Sequence, residues 1–216
     1  MKLTIVYDNE VYEKGIGLKS DWGFSCLIET KEENILFDCG AKGNILLNNM
    51  QKLKLDPKDI NKIVISHEHW DHKGGLKLLL PVIKNVQLCT LGKEDDTEKI
   101  TIKNIKESQI ISKGVYSTGN LSGSPVDEQS LVLEGKTGWC VLAGCSHSGV
   151  GNILHISKKF GKVVGLIGGL HGFNDFNILN DLNVICPCHC TKYKKQIKKM
   201  YPAKYVEGGV GRVFDI

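Results

Sequence analysis

Residues 66–75 read Ser66-His67-Glu68-His69-Trp70-Asp71-His72-Lys73-Gly74-Gly75. Three imidazoles and a ligand-type carboxylate fall between positions 67 and 72, directly after the apolar run Lys62–Ile65, which has the composition of a buried strand. A long helix would scatter these side chains around a cylinder, whereas a loop leaving a strand can turn them inward. His67 and His69 are two apart, so extended backbone sets them on one face. Asp71 continues that face, and His72 needs the turn to bring it round. Imidazole with carboxylate suits zinc, and also iron or manganese, and this arrangement suits two neighbouring metals better than one. The competing reading is a solvated polar loop in which Glu68, Asp71 and Lys73 are ordinary surface charges. It is the weaker one, because four ligand-type side chains in this register rarely gather without a metal.

Working outward, Lys2–Tyr7 alternates as a strand, and Asn9–Asp21 reads as a loop. Phe24–Glu29 and Asn34–Phe37 pair as a hairpin across Thr30–Glu33, and Asp38-Cys39-Gly40 ends the second strand at a turn. Lys42–Lys54 carries Ile45, Leu46, Met50 and Leu53 at helical spacing, and Asp56-Pro57 caps a short turn. Ser66–Gly74 is a loop, Gly75–Ile83 a helix and Val86–Leu91 a strand. Glu94–Gln109 is polar and reads as an insertion or as short strands. Ile110–Ile111, Val115–Ser117, Leu131–Glu134 and Trp139–Leu142 are successive strands. Gly149–Phe160 is helical, Val163–Ile167 and Asn183–Cys186 are strands, Thr191–Met200 is a basic helix, and Ala203–Val206 is the last strand. Runs of strands with helices at intervals fit a layered α/β architecture, with candidate ligands at strand ends, where sites collect.

The 216 residues suffice for one domain spanning 1–216 with a buried core. Hydrophobic residues make up 41% and charged residues 24%, and the net charge of +4 is too small to point to a nucleic-acid surface. No apolar run approaches the roughly 20 residues of a membrane helix. The start, Met1-Lys2-Leu3-Thr4-Ile5-Val6-Tyr7-Asp8, has no leader character, so the cytoplasm is the expected compartment. There the eight cysteines are expected to be mostly reduced.

His67-x-His69-x-Asp71-His72, preceded by an apolar strand and followed by Gly-Gly-Leu, resembles the signature of the metallo-β-lactamase-fold superfamily. The resemblance extends over the chain and implies an α/β fold, a four-layer αββα sandwich. Asp38 in Leu36-Phe37-Asp38-Cys39-Gly40 matches the family's strand-end Asp, which orients the metal-binding loop. His147 in Gly144-Cys145-Ser146-His147-Ser148-Gly149 and His189 in Cys186-Pro187-Cys188-His189-Cys190 match its later ligand motifs. The family's bridging Asp is expected where the sequence reads Gly168-Gly169-Leu170-His171-Gly172, with no Asp. His171 is the candidate substitute, as a ligand or as a substrate-facing acid or base, or else a packed histidine supporting the loop. The glycine-rich stretch 17–25, with Gly168–His171 and Pro187–Thr191, is similar to the branch of metal-dependent hydrolases related to the archaeal enzyme that joins a dihydropterin to a ribofuranosylaminobenzene phosphate.

The resemblance implies one or two divalent ions, zinc first, with His67, His69 and His147 on one and Asp71, His72 and His189 on the other. A cation held by imidazoles lowers the pKa of bound water from about 15.7 toward 7 and polarises a carbonyl or phosphoryl oxygen. Asp71 is the candidate proton acceptor, and His171 the group that orients substrate or protonates the leaving group. His155, inside the expected helix and without a partner motif, reads as a structural or surface residue. Cys39, Cys145, Cys188 and Cys190 lie beside motif residues, and Cys186-x-Cys188-x-Cys190 resembles a soft-metal tract. Packing behind the ligands is the favoured role, with redox or extra-metal roles open. Trp22, Phe24 and Trp70 could wall a flat substrate, and Lys19, Lys73 and Lys192 could attract an anionic one. Three functions follow: hydrolysis of an ester, phosphoester or related bond; coupling of a dihydropterin diphosphate to an aminobenzene acceptor; and a non-catalytic metal-binding or redox-sensing module. The expected partner is a small molecule, with neither nucleic acid nor membrane.

Overall fold

The computed structural model of the chain describes residues 1–93 and 96–216. The chain divides into two compact units, Met1–Ile105 with Gly208–Asp215, and Lys106–Glu207 with Ile216. In chain order the first unit holds β1 (Lys2–Tyr7), β2 (Ser25–Glu29), β3 (Asn34–Phe37), α1 (Gly43–Lys52), β4 (Ile60–Val64), α2 (Trp70–Lys73), α3 (Leu76–Leu79), β5 (Val86–Thr90) and β6 (Ile100–Asn104). The second holds β7 (Gln109–Ser112), β8 (Val115–Ser117), β9 (Leu131–Gly135), β10 (Gly138–Ala143), α4 (Val150–Ser157), β11 (Val163–Gly169), β12 (Val184–Cys188) and α5 (Lys194–Met200). The chain then returns to the first unit as β13 (Val213–Asp215).

The first unit is built on one seven-stranded sheet in the order β13-β1-β2-β3-β4-β5-β6. The β2–β3 hairpin turns on Thr30, whose hydroxyl oxygen accepts from the backbone N–H groups of Glu32 and Glu33. From β3 to β6 the strands run parallel, in a register that aligns Phe37 with Val64 and Val64 with Cys89. Asp38 and Ser66 therefore leave the same sheet edge, the carboxyl end of the parallel strands. The side chains of Leu36, Leu46, Met50, Ile63, Leu79 and Leu88 belong to its core. Buried Asn49 on α1 ties the loop before β2 to this core: its amide donates to the Val6 and Lys19 carbonyls, and its oxygen accepts from Lys19 N.

The second unit is built on a six-stranded sheet in the order β12-β11-β10-β9-β8-β7. Here β10, β11 and β12 are parallel, with Ala143 opposite Gly168 and Gly168 opposite Pro187. The segments that begin at Gly144, Leu170 and His189 leave one edge together. Val141, Ile153, Leu166, Ile185 and Ile197 belong to its core.

Several elements differ from the sequence reading. The expected loop 66–74 contains the helical turn α2, so Asp71 and His72 are carried by helix and do not continue an extended face. The helix expected over 75–83 stops at Leu79, because Pro81 has no N–H to extend the ladder. The terminal strand is β13, whose Val213 lies opposite Thr4. Segment 203–206 makes one isolated bridge, Ile185 with Tyr205. Of the polar stretch 94–109, β6 is a strand, and Glu94 and Asp95 lie outside the described residues.

Candidate metal centre

In the first unit the order begins at Asp38. It is fully buried and sits in left-handed backbone, φ 58°. Its Oδ1 accepts Ser66 N at 2.7 Å, and its Oδ2 accepts Ser66 Oγ at 2.8 Å and His72 Nδ1 at 2.7 Å. Those bonds dictate a tautomer. Ser66 has one hydroxyl proton, and it points at a carboxylate oxygen. Its Oγ, 2.9 Å from His67 Nδ1, must therefore accept from that ring nitrogen. The lone pair of neutral His67 is then on Nε2, and by the same logic that of His72 is on its Nε2. His67 Nε2 faces His69 Nδ1 at 3.1 Å. Two nitrogens sharing a tetrahedral ion at 2.0–2.1 Å would stand about 3.3 Å apart. His67 and His72 are fully buried, and Asp71 is nearly so, with its Oδ2 3.9 Å from His72 Nε2. The donors in this unit fit a divalent cation by chemistry and spacing. Cys39, next to Asp38, is a packing residue: burial, and then the Asp38 charge, push its thiol well above the ordinary 9.0.

In the second unit the loop after β10 is held by a residue that the sequence reading missed. The buried carboxylate of Glu128 accepts three backbone N–H groups: Cys145 at 2.7 Å, Ser146 at 3.1 Å and His147 at 2.5 Å. Ser146, at φ 65°, donates its hydroxyl to the Gly169 carbonyl. His147 is half-buried, and the exposed ring of His171 meets it edge to face with centroids 5.1 Å apart. The position lacking the expected Asp thus carries a histidine beside a candidate ligand. His189 is buried directly after β12, and its ligand atom lies within 4.8 Å of the sulphurs of Cys145 and Cys190.

Around these groups, Trp70 is 63% exposed, while Phe24 is wholly buried in the core. A shallow cavity of about 510 Å³ is lined by Trp70, Lys73, Leu76, Lys77 and Leu80, with Glu68 and Gly74. Lys73 is engaged by Glu68 at 2.7 Å, whereas Lys19 and Lys192 are exposed. His155 is exposed on α4, the surface one of its two expected placements. Cys186 and Cys188 are buried with sulphurs 3.7 Å apart, on one face of β12.

The family model of the metallo-beta-lactamase superfamily matches residues 23–156. The chain belongs to that superfamily. The α/β sandwich expected from the motif is therefore its fold class, and the family's binding of divalent metals agrees with the donor sets above. A solved structure, described as Tm1679, a metal-dependent hydrolase of the beta-lactamase superfamily, aligns over 100% of this chain and 99% of its own, at 25% identity and a TM-score of 0.80. Two proteins of Methanocaldococcus jannaschii are each 27% identical to this chain. One is uncharacterised and aligns over 99% of this chain and all of its own length. The other is 7,8-dihydropterin-6-methyl-4-(beta-D-ribofuranosyl)-aminobenzene-5'-phosphate synthase, covering 82% of this chain and 83% of its own. Similarity to this superfamily, whose fold neighbours are mostly hydrolases, supports an enzyme.

Proposed function

We propose that this metallo-β-lactamase-superfamily protein is a metal-dependent hydrolase of an ester, phosphoester or related bond in an anionic small molecule. The observation that carries the reading is the pair His67 Nε2 and His69 Nδ1, 3.1 Å apart, with the His67 tautomer dictated by Ser66 and Asp38. By family membership, His67, His69 and His147 would hold one ion and Asp71, His72 and His189 a second. Zinc is the first choice, iron or manganese the alternatives. Bound there, a divalent ion supplies Lewis acidity and a lowered pKa for water. The chain's own groups do the rest. Asp71 accepts the proton of the attacking water. His171, exposed beside His147, orients the substrate or protonates its leaving group. Asp38 holds His72 in its ligating tautomer. Lys19 and Lys192 attract an anionic group, and Trp70 offers a flat apolar face. A cytoplasmic location and a small-molecule partner complete the reading. Among the described residues no helix is long and apolar enough to cross a membrane.

The test is metal content together with turnover of phosphodiester, lactone and thioester substrates by the purified chain. His67→Ala and His147→Ala are each expected to lose bound metal and to lower turnover by more than the roughly 10–100-fold that an outer-shell change costs. Full metal content in either variant would remove that residue from the ligand set. The similarity to the M. jannaschii synthase favours one other reading, coupling of a dihydropterin diphosphate to an aminobenzene acceptor. Coupled product without hydrolysis would select it.

A further inference from the structure

Around His189 the second unit offers sulphur. Within this unit, a ligand-type group that contains His189 is completed by Cys145 and Cys190. The buried carboxylate of Glu128 is committed to three backbone N–H groups of the loop that carries Cys145.

The backbone explains how the sulphur arrives there. In an extended strand successive side chains point to opposite faces. His189 leaves β12 in left-handed backbone, φ 44°, and its ligand atom and the Cys190 sulphur lie within 4.8 Å of each other. At the end of neighbouring β11, Gly169 has no side chain. A Cβ there would stand 2.8 Å from Cys190 Sγ and 2.3 Å from the Gly144 oxygen, so the thiol fills space that residue 169 leaves. The Thr191 hydroxyl accepts from Leu170 N at 2.9 Å and donates to Cys188 O at 2.7 Å, pinning both strand ends around Cys190.

We propose that Cys190, with Cys145 beside it, supplies a thiolate ligand to the ion held by His189. The step rests on the reading of His189 as a ligand. Cys190 gives its S–H proton to solvent, and a sulphur lone pair forms the sulphur–metal bond, with no change of oxidation state. Such a ligand biases the position toward zinc or cobalt and away from magnesium or calcium.

The experiment is replacement of the native ion by Co(II) in the intact chain, followed by elemental analysis and near-ultraviolet absorption, with X-ray absorption at the zinc edge of the zinc form. The expected result is a thiolate-to-cobalt charge-transfer band and a sulphur shell at about 2.3 Å. Both should be lost in C190S and kept in C89A, whose thiol is buried in β5. C190S should also weaken that ion by at least the roughly 10–100-fold of an outer-shell change. A cobalt-loaded wild type without the band, or a band that survives C190S, overturns the thiolate while the metal reading stands. A chain that retains no metal overturns both. If C190S does not fold, which far-ultraviolet circular dichroism reports, C145A assigns the wild-type band: a band kept in C145A supports Cys190, and a band lost there overturns the proposal.

Discussion

Two buried carboxylates organise the histidine-bearing loops. Asp38 gathers Ser66 and His72, and Glu128 gathers the backbone from Cys145 to His147. Asn is the informative replacement for Asp38, because it tolerates the φ of 58° and preserves the turn. Its amide has one oxygen, however, and cannot accept from Ser66 N, Ser66 Oγ and His72 Nδ1 together. Glu128→Gln loses the charge that strengthens three N–H contacts. Each variant is expected to bind metal roughly 10–100-fold more weakly and to lose about 1–3 kcal/mol of stability, read by chelator competition and urea unfolding. Unchanged metal affinity in both would mean that ligand geometry does not depend on these carboxylates. Asp38 was legible in the sequence because it ends an apolar strand inside a recognisable motif. Glu128 was not, because a lone Glu among Ser, Pro, Asp and Gln reads as surface charge, and its partners lie 17 to 19 residues away.

The decisive element is the turn from β4 into α2, and close backbone contact holds it against the end of β3. Cys39 N donates to His72 O at 2.7 Å and Gly75 N to Gly40 O at 2.9 Å. A Cβ on Gly75 would stand 2.1 Å from the Cys39 oxygen, so Gly75→Ala must push α2 away from Asp38. We expect it to cost about 1–3 kcal/mol as overpacking and to lower metal affinity as well. A variant with wild-type midpoint and metal content would mean that the contact yields freely. The same segment marks what sequence could and could not reveal about elements. Strands with alternating or wholly apolar runs, such as 2–7 and 163–167, were legible because one-sided burial leaves a period of two and two-sided burial an unbroken apolar run. The one-turn helix Trp70–Lys73 was hidden, since four residues are too few to display a period. Strand β13 was missed because its three residues are largely exposed and follow a glycine-rich stretch, leaving pairing with β1 as its main support.

At the scale of the whole molecule, each unit carries a buried thiol that stays neutral to high pH. Burial raises Cys89 in the first unit to about 11, and burial followed by the neighbouring Cys186 raises Cys140 in the second to about 12, from an ordinary 9.0. The unfolded chain releases these protons near 9, while the folded chain keeps them. The native state therefore binds more protons above that pH, and stability must fall as pH rises. The stabilisation is complete below pH 9 and is lost between 9 and about 11 for Cys89, and between 9 and about 12 for Cys140. The limiting slope is about 1.4 kcal/mol per pH unit for each thiol. Urea unfolding at stepped pH from 8 to 10.5 should show this decline, and Cys89→Ala and Cys140→Ala should each flatten it by up to one proton. The slope is the readout, because either truncation also leaves a cavity that lowers stability at every pH. If both units unfold in one cooperative step, both variants flatten the same transition. If they unfold separately, Cys140→Ala changes only the transition of the second unit and Cys89→Ala only that of the first. A stability profile flat across pH 9 to 10.5 would mean that the thiols ionise as readily in the fold as out of it, which their burial in the two sheets argues against.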